Sequence, residues 1–408
     1  MAAGQGGGTS AACFAARLLK HIAADRERGN LVFSPLSIHV AIALTSAGAR
    51  GPTLDEILGV AGAPSRDALA ALVRSVVMEG ALADRSGIGG PSVAFSCGAW
   101  TDEAWALKAA YLDTVAGTYK GNLWTVDFRT NPVATRQHIN NAWAAEATRN
   151  LITGILDPYK KSPHIVASAI YFKAEWHDPF DKDCTVVCNF HCLDGSSIRT
   201  PFMRSWRSDH RLACHDGFKV LKLPYKDTDL SLLAEYNNNL SKFSLCVFLP
   251  AARDGLPSLV RKIASYPDFL HDHLPRETGP VGVVRLPRFK LTLDTSIVSV
   301  LKDLGLHLMF HQVRADMTGM VEAAGPSMYV QDVFHKAAVE VNEEGSEAAA
   351  VTTESDSVMG FSLCEDYIPP PEKPANFVAD HPFAFFIVEE ISGAILFAGH
   401  VVDPSKTE

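Results

Sequence analysis

The chain is 408 residues long and 47% hydrophobic, and its formal net charge of −9 comes from interspersed acidic and basic side chains. That hydrophobic content is ample for the core of one large mixed domain, since no long linker or charge block divides the chain. The charge balance and the lack of a basic stripe with interleaved aromatics argue against a nucleic-acid partner. No apolar run approaches the length of a bilayer span, which argues against a membrane partner.

The first part of the chain predicts helices. Residues 1–10 are rich in glycine and are expected to form a flexible tail, whereas residues 14–24 repeat apolar side chains at helical spacing. Ser37 is expected to cap a helix that runs to Ala47. The capping-box pattern at residues 53–56 predicts another helix. A polar segment at 134–155 carries one apolar stripe and is expected to form a surface helix.

Later segments change to strand patterns. Residues 165–172, 244–249 and 337–341 are rich in β-formers. Residues 383–388 and 394–397 are apolar on both faces, as in a sheet that is covered on both sides. Because helices and strands do not alternate regularly, the mixture is compatible with an α+β fold.

The strand predicted at 337–341 leads into an unusual segment. Its sequence is Glu343-Glu344-Gly345-Ser346-Glu347-Ala348-Ala349-Ala350-Val351-Thr352, which is small and free of proline. Turn chemistry normally ends a strand, yet here a glycine precedes three alanines. Small side chains let a backbone slide between neighbouring strands without steric penalty. The segment therefore predicts a loop that can enter a sheet.

Several blocks of the sequence, taken in chain order, resemble the serpin family. They are residues 30–38, 169–176, 299–306, 333–350, 377–383 and 395–404. Residues 216–225 and the Asp380-His381-Pro382-Phe383 block are typical of the plant branch of that family. The resemblance implies one serpin domain over residues 1–408, with helices packed around three β-sheets. The hinge and an exposed reactive-centre loop would occupy residues 343–364.

The resemblance also implies a protease inhibitor of the suicide-substrate type and not an enzyme. By the family's usual count from the acidic hinge residue Glu343, the protease would cut between Met359 and Gly360. An unbranched apolar Met suits the pocket of chymotrypsin-like or elastase-like serine proteases, and Val358 suits the second pocket of papain-like cysteine proteases. Many plant relatives have Arg in place of Met359, so trypsin-like or metacaspase-type targets are not expected here.

Two supporting regions follow from the same resemblance. The shutter beneath the opening strands would consist of Ser34, Ser37, Ser168 and His335. The family usually has Asn at the position of Ser168, so the shorter hydroxyl is expected to leave His335 one partner short. The breach, where insertion begins, would consist of Trp176, Lys290 and Glu343, with Lys290 and Glu343 as an ion pair.

Two acidic residues of the loop leave a second function open. Strand side chains alternate, so an inserted loop that buries Ser346 also turns Glu354 and Asp356 inward. Burying a charged carboxylate costs several kcal/mol unless it is paired. The alternative is therefore a non-inhibitory serpin that acts as a binding or interaction protein, its loop cut as a substrate.

No cofactor and no metal site are expected. Cys184, Cys188 and Cys192 recur at every fourth residue, but on a strand this spacing separates successive thiols by about 13 Å, too far to share an ion. The N terminus has neither a basic start nor an apolar core, so no signal peptide is expected. The scattered cysteines are expected to be reduced thiols inside a cell. We expect a cytoplasmic or nuclear monomer whose partner is a target protease of the serine or papain-like cysteine class. Leaderless release to the extracellular space stays open.

Overall fold

The computed structural model describes residues 5–25, 29–88, 90–119, 121–138, 164–205, 207–227, 241–322, 328–346 and 374–407. The helices in these ranges are α1 (Gln5–Asp25), α2 (Pro35–Ser46), α3 (Gly51–Ala61), α4 (Arg66–Leu72), α5 (Ala109–Tyr119), α6 (Pro132–His138), α7 (Leu256–Ile263), α8 (Phe269–Asp272) and α9 (Val298–Asp303). A π-helical stretch, Val73–Ala81, continues α4, and short 3-10 turns lie at Ser86–Ile88, Lys182–Cys184 and Leu308–Phe310.

The strands form three sheets. In chain order they are β1 (Leu31–Phe33), β2 (Ser92–Asp102), β3 (Asn122–Val126), β4 (His164–Glu175), β5 (Val186–His191), β6 (Ser197–Ser205), β7 (Asp209–His215), β8 (Phe218–Pro224), β9 (Phe243–Pro250), β10 (Gly279–Pro280), β11 (Val284–Pro287), β12 (Phe289–Ser296), β13 (Asp332–Val341), β14 (Gly345–Ser346), β15 (Phe377–Val378), β16 (Phe383–Glu389) and β17 (Ile395–Val401). The seven-stranded sheet has the order β1-β17-β16-β9-β8-β7-β10, and the four-stranded sheet has the order β15-β11-β6-β5. The six-stranded sheet runs β12-β13-β4-β2-β3, with β14 paired to β4. Helices around three sheets confirm the predicted fold class.

Helix α2 lies at the centre of the molecule. Every residue from Pro35 to Ser46 is buried, and the helix contacts β4 of the six-stranded sheet and β17 of the seven-stranded sheet. Its N-cap is Ser34, whose Oγ accepts a hydrogen bond from the backbone N–H of Ser37 at 3.1 Å. The predicted cap at Ser37 was wrong because Pro35, with its fixed φ and missing N–H, already starts the helix.

The first turn of α3 also differs from the prediction. The helix begins at Gly51, and its N-cap Arg50 makes no side-chain cap hydrogen bond. The carboxylate of Glu56 does not complete a capping box; it accepts the backbone N–H groups of His307 and Leu308 at 2.9 and 2.7 Å. Two backbone N–H groups that are distant in sequence therefore bind the Glu56 carboxylate, which the local pattern assigned to the start of the helix.

Most of the remaining predictions of helices and strands agree with the structure where it describes them. The strands predicted at 165–172, 244–249 and 383–388 lie in β4, β9 and β16, and α1 contains residues 14–24. The prediction of a flexible tail was wrong for residues 5–10, which form the N-terminal part of α1. Of the polar helix predicted at 134–155, the part after His138 lies outside the described residues. In the ranges described, no helix combines the length and apolarity needed to cross a membrane.

Candidate functional site: the hinge of the six-stranded sheet

The two central strands of the six-stranded sheet separate at one end. β13 pairs parallel to β4 from Asp332 opposite Ile165 to Ala338 opposite Tyr171, and the paired register stops there. β4 nevertheless continues to Glu175, and β13 continues to Val341. This leaves an opening of about three residues between the strands, which we call the sheet opening.

The chain turns back after β13 and enters the sheet opening in the direction opposite to β4. Gly345 lies opposite Glu175 and Ser346 lies opposite Ala174, in an antiparallel pair with β4. Gly345 has φ 153°, and a Cβ at this position would lie 1.9 Å from the carbonyl oxygen of Ala174. Only glycine allows so close a backbone approach with a positive φ. The residues predicted to form the hinge therefore already begin a strand.

Ser346 is buried in the sheet opening, as its position in the hinge predicted. It is 0% exposed, and its Oγ lies 2.7 Å from the hydroxyl of Tyr225. Tyr225 follows β8 and is itself buried, which raises its pKa well above the usual value. The neutral phenol and the serine hydroxyl thus satisfy each other inside the core.

Trp176 holds the chain just before Ser346. Its indole Nε1 donates to the carbonyl of Asn342 at 2.8 Å, and its backbone N–H donates to the carbonyl of Glu344 at 2.8 Å. The indole ring stacks on Tyr225, with 4.6 Å between ring centroids. Trp176 and Tyr225 therefore form one aromatic pair that bonds the hinge on both sides of Gly345. Sequence reasoning assigned Trp176 to this region but missed Tyr225.

The ion pair predicted between Lys290 and Glu343 was wrong. Lys290 lies directly opposite Glu340 in the β12–β13 register and pairs with it at 2.8 Å. Glu343, whose side chain is 3% exposed, instead pairs with Arg288 and accepts a hydrogen bond from the hydroxyl of Thr185. The reason is geometric, because Glu343 lies two residues past the end of β13, beside the corner between β11 and β12 that Arg288 occupies.

The predicted shutter residues come together beneath the sheet opening. His335 is 0% exposed, and its Nε2 accepts the backbone N–H of Ser34 at 3.0 Å. Its Nδ1 therefore carries the proton and donates to the hydroxyl of Ser168 at 3.1 Å. Both ring nitrogens are satisfied, so the expectation that Ser168 leaves His335 one partner short was wrong. Burial lowers the pKa of His335 to about 3.

Ser37 joins the same cluster through its backbone. Its N–H donates to Ser34 Oγ at 3.1 Å, while its own Oγ is buried with no hydrogen-bond partner in the described part of the chain. Because His335 and Ser168 lie opposite each other on β13 and β4, their side-chain hydrogen bond ties together the two strands that diverge above them.

Several predicted site residues lie outside the described residues. They are Glu347, Ala348, Ala349, Ala350, Val358, Met359 and Gly360. The structure therefore gives the hinge as far as Ser346. The residues that sequence reasoning missed, Arg288, Thr185 and Tyr225, come from segments far from the hinge in sequence, and no local pattern marks them.

Comparisons with known proteins agree with this geometry. A family model described as "Serpin (serine protease inhibitor)" matches residues 9–404. Serpin-Z2A of Oryza sativa is 44% identical over 99% of this chain and 99% of its own length. Serpin-Z4 of Hordeum vulgare is 38% identical over 96% of this chain and 94% of its own length.

Solved structures give the same answer. The structure of Arabidopsis AtSerpin1 in its native stressed conformation is 34% identical and has a TM-score of 0.85, with 99% of this chain and 100% of that chain covered. Serpin48 of the insect Tenebrio molitor is 25% identical and has a TM-score of 0.79 over 99% of both chains. The similarity therefore extends over the whole length of the molecule.

Proposed function

From the premise that this chain belongs to the serpin family, we propose that it is a protease inhibitor of the suicide-substrate type. A chymotrypsin-like or elastase-like serine protease, or a papain-like cysteine protease, cuts the loop between Met359 and Gly360 and forms an acyl-enzyme. The freed end of the loop then enters the six-stranded sheet between β4 and β13 and carries the protease with it. Such loop insertion is an established case of β-strand addition in serpins.

The observation that carries this proposal is the pairing of Gly345 and Ser346 with β4 in the sheet opening. In an antiparallel pair, each residue forward on the hinge moves one residue back on β4. Continuing that register brings Ala348 opposite Phe172 and Thr352 opposite Ser168. Insertion past Ala348 must therefore separate β13 from β4, and it reaches the His335–Ser168 hydrogen bond at Thr352.

Insertion replaces one ladder between β4 and β13 with two ladders, one on each side of the new strand. At about 1 kcal/mol net for each added hydrogen bond, a dozen residues release on the order of 10 kcal/mol. The residues up to Thr352 that face the core are small, so the first half of the insertion carries little steric cost. This energy is sufficient to displace the bound protease and distort its active site before the acyl-enzyme is hydrolysed.

One observation favours a second function. On the same register, Glu354 comes opposite Val166 and Asp356 opposite His164, and both β4 residues are fully buried. Side chains directly opposite each other share a face of the sheet, so each carboxylate would leave water at a cost of several kcal/mol. A loop that stops halfway would be cut as a substrate, and the protein would then act as a non-inhibitory binding or interaction protein.

Incubation with chymotrypsin, elastase, subtilisin and papain separates the two functions. Inhibition predicts a protease complex that survives denaturing electrophoresis, with the new C terminus at Met359. Clean cleavage of the loop with active protease remaining supports the second function.

The variant Met359→Arg tests the assigned bond, because it should move the preference to trypsin. The control is Val313→Arg, which places the same cation at an apolar position that is 77% exposed and lies outside the loop. It should leave the preference unchanged. A Met359→Arg variant with the protease preference of the wild type would contradict the assignment of the bond.

A further inference from the structure

A cavity of ≈ 340 Å³ lies beside the aromatic pair that holds the hinge. It is bounded by the segment after β4, by the turn between β6 and β7, and by β8 and β9. Trp176 and Tyr225 both line it. The two rings that hydrogen-bond Asn342 and Ser346 therefore also form one wall of this cavity.

Four aromatic side chains form one wall of the cavity. Phe180 and Phe243 line it together with Trp176 and Tyr225. Phe180 stands edge-on to Trp176, with 6.3 Å between centroids. Flat aromatic surfaces of this kind favour a planar ring as the ligand, which can stack on them or meet them edge-on. The volume lies at the lower end of the range for small-molecule pockets, so it suits a ligand of one or two rings.

The charged rim of the cavity carries four cations and four carboxylates, but the ion pairs are shared unevenly among the cations. Arg207 pairs with Asp178 and also with Asp209, the latter at 3.7 Å. Lys222 pairs with Glu390 at 2.9 Å, and Lys242 pairs with Asp227 at 2.8 Å. Arg211 also lines the cavity and is half-buried. Among the residues that the structure describes, Arg211 has no carboxylate within ion-pair distance. Its guanidinium thus presents unused donors to the cavity.

Arg211 lies next to a second cation of the cavity. Arg211 lies directly opposite Lys222 in the β7–β8 pair, and both side chains line the same cavity. Like charges directly opposite each other on neighbouring strands are destabilising. Glu390 forms its ion pair with Lys222 and also attracts Arg211 electrostatically, which leaves the hydrogen-bond donors of Arg211 for a bound anion.

We propose that this cavity binds a small planar aromatic anion, with the ring against Trp176, Phe180 and Tyr225 and the anionic group on Arg211. The guanidinium forms charge-assisted hydrogen bonds with a carboxylate or a phosphate. The ligand fills the space beside the Trp176–Tyr225 pair and opposes movement of either ring. Both rings bond the hinge, so bound ligand keeps Gly345 and Ser346 in place and slows further insertion. This last consequence rests on the proposed inhibitory function.

Isothermal titration calorimetry of the intact protein tests the site without any protease. The probes are trans-cinnamate, which carries a carboxylate, and phenyl phosphate, with acetate and inorganic phosphate as their ring-free counterparts. We expect at least one aromatic anion to bind, and its ring-free counterpart to bind at least tenfold more weakly, in keeping with the loss of about 1.4 kcal/mol or more of ring contact. The probe that binds more tightly identifies the preferred anionic group.

The variant Arg211→Gln should weaken binding of the aromatic anion about tenfold or more, because a charge-assisted hydrogen bond is lost. Arg314→Gln removes an exposed arginine that does not line the cavity, and it should bind like the wild type. Equal affinity in Arg211→Gln and the wild type overturns the proposal, as does the absence of binding by both aromatic anions.

The effect on the hinge has a separate readout. At a ligand concentration that just saturates the wild type, the wild type should form its protease complex more slowly, and Arg211→Gln should be slowed clearly less. An unchanged rate in the liganded wild type contradicts the coupling to the hinge. A protein that binds the aromatic anion but traps no protease contradicts the inhibitory function and leaves the site supported.

Discussion

The hydroxyl of Ser346 lies 2.7 Å from the phenol oxygen of Tyr225, and both residues are buried where β4 and β13 diverge. This hydrogen bond joins the paired part of the hinge to the seven-stranded sheet, because Tyr225 directly follows β8. The contact gives the hinge a defined resting position in the sheet opening.

Tyr225→Phe should loosen that resting position. The variant keeps the ring but leaves the buried Ser346 hydroxyl unpaired, which costs about 1–3 kcal/mol in the inserted arrangement. We expect faster hydrogen exchange at the amides of Gly345 and Ser346, measured by mass spectrometry. Tyr266→Phe is the matched control, because Tyr266 is 40% exposed and bonds a surface carboxylate, Asp272. Equal exchange in both variants would show that the hydroxyl pair does not hold the hinge.

Gly345→Ala should expel the hinge from the sheet opening. Its Cβ would lie 1.9 Å from the carbonyl oxygen of Ala174, and φ 153° is unfavourable for alanine. Strain of this kind costs about 1–3 kcal/mol or more. We expect more inhibitor molecules to be consumed per protease trapped, counted by titration. Gly59→Ala in α3 is the control, because the added Cβ meets no atom within 4 Å. If Gly345→Ala consumed no more inhibitor molecules per trapped protease than the wild type, this prediction would be wrong.

Arg288→Gln and Lys290→Gln should differ strongly in stability. Glu343 is 3% exposed in its side chain, so loss of Arg288 leaves a buried carboxylate without its cation, at a cost of about 2 kcal/mol or more. Lys290 and Glu340 are 53% and 29% exposed, and such a pair contributes only about 0–1 kcal/mol. Unfolding in urea measures both variants. A larger loss of unfolding free energy in Lys290→Gln than in Arg288→Gln would instead support the Lys290–Glu343 ion pair that was predicted from the sequence.

Acid should weaken the fold through His335. Its pKa is about 3 in the folded protein and 6.5 in the unfolded chain, so the unfolded state takes up the proton first. Its contribution is complete above pH 6.5 and is lost as the pH falls from 6.5 towards 3, by up to about 1.4 kcal/mol per pH unit.

His335→Gln removes this titration, and we expect a shallower decline of the free energy of unfolding between pH 6.5 and pH 4. His39 and His164, whose pKa values burial lowers to about 4, contribute equally to wild type and variant. His307→Gln at an exposed position controls for the substitution itself. Parallel curves for His335→Gln and the wild type would exclude His335 as the source of the acid sensitivity.

Replacing Glu354 and Asp356 by alanine should improve trapping. The continued register brings them opposite the buried residues Val166 and His164, where each carboxylate costs several kcal/mol. We expect fewer inhibitor molecules to be consumed per protease trapped. The double variant Glu365→Ala, Asp366→Ala removes the same charge beyond the proposed reactive bond, outside the inserted strand, and should not change the number. An unchanged number in the first double variant would mean that both carboxylates reach water.

The sequence predicted the strands and the hinge because their signals are local. Small residues after Glu343 and the β-formers before it need no knowledge of distant contacts. The pairing of Glu343 was not predictable in the same way, because it depends on the β12–β13 register, which brings Lys290 to Glu340 and leaves Arg288 at the corner. Tyr225 was missed for the same reason, since it reaches Ser346 from more than a hundred residues away.

Arg288 is the single residue between β11 of the four-stranded sheet and β12 of the six-stranded sheet. Its backbone N–H donates to the carbonyl of Pro201 on β6, while its side chain bonds Glu343. Arg288 therefore connects the four-stranded sheet directly to the start of the hinge. A displacement of the four-stranded sheet would therefore be transmitted to Glu343 through Arg288, which gives the two sheets a direct mechanical connection.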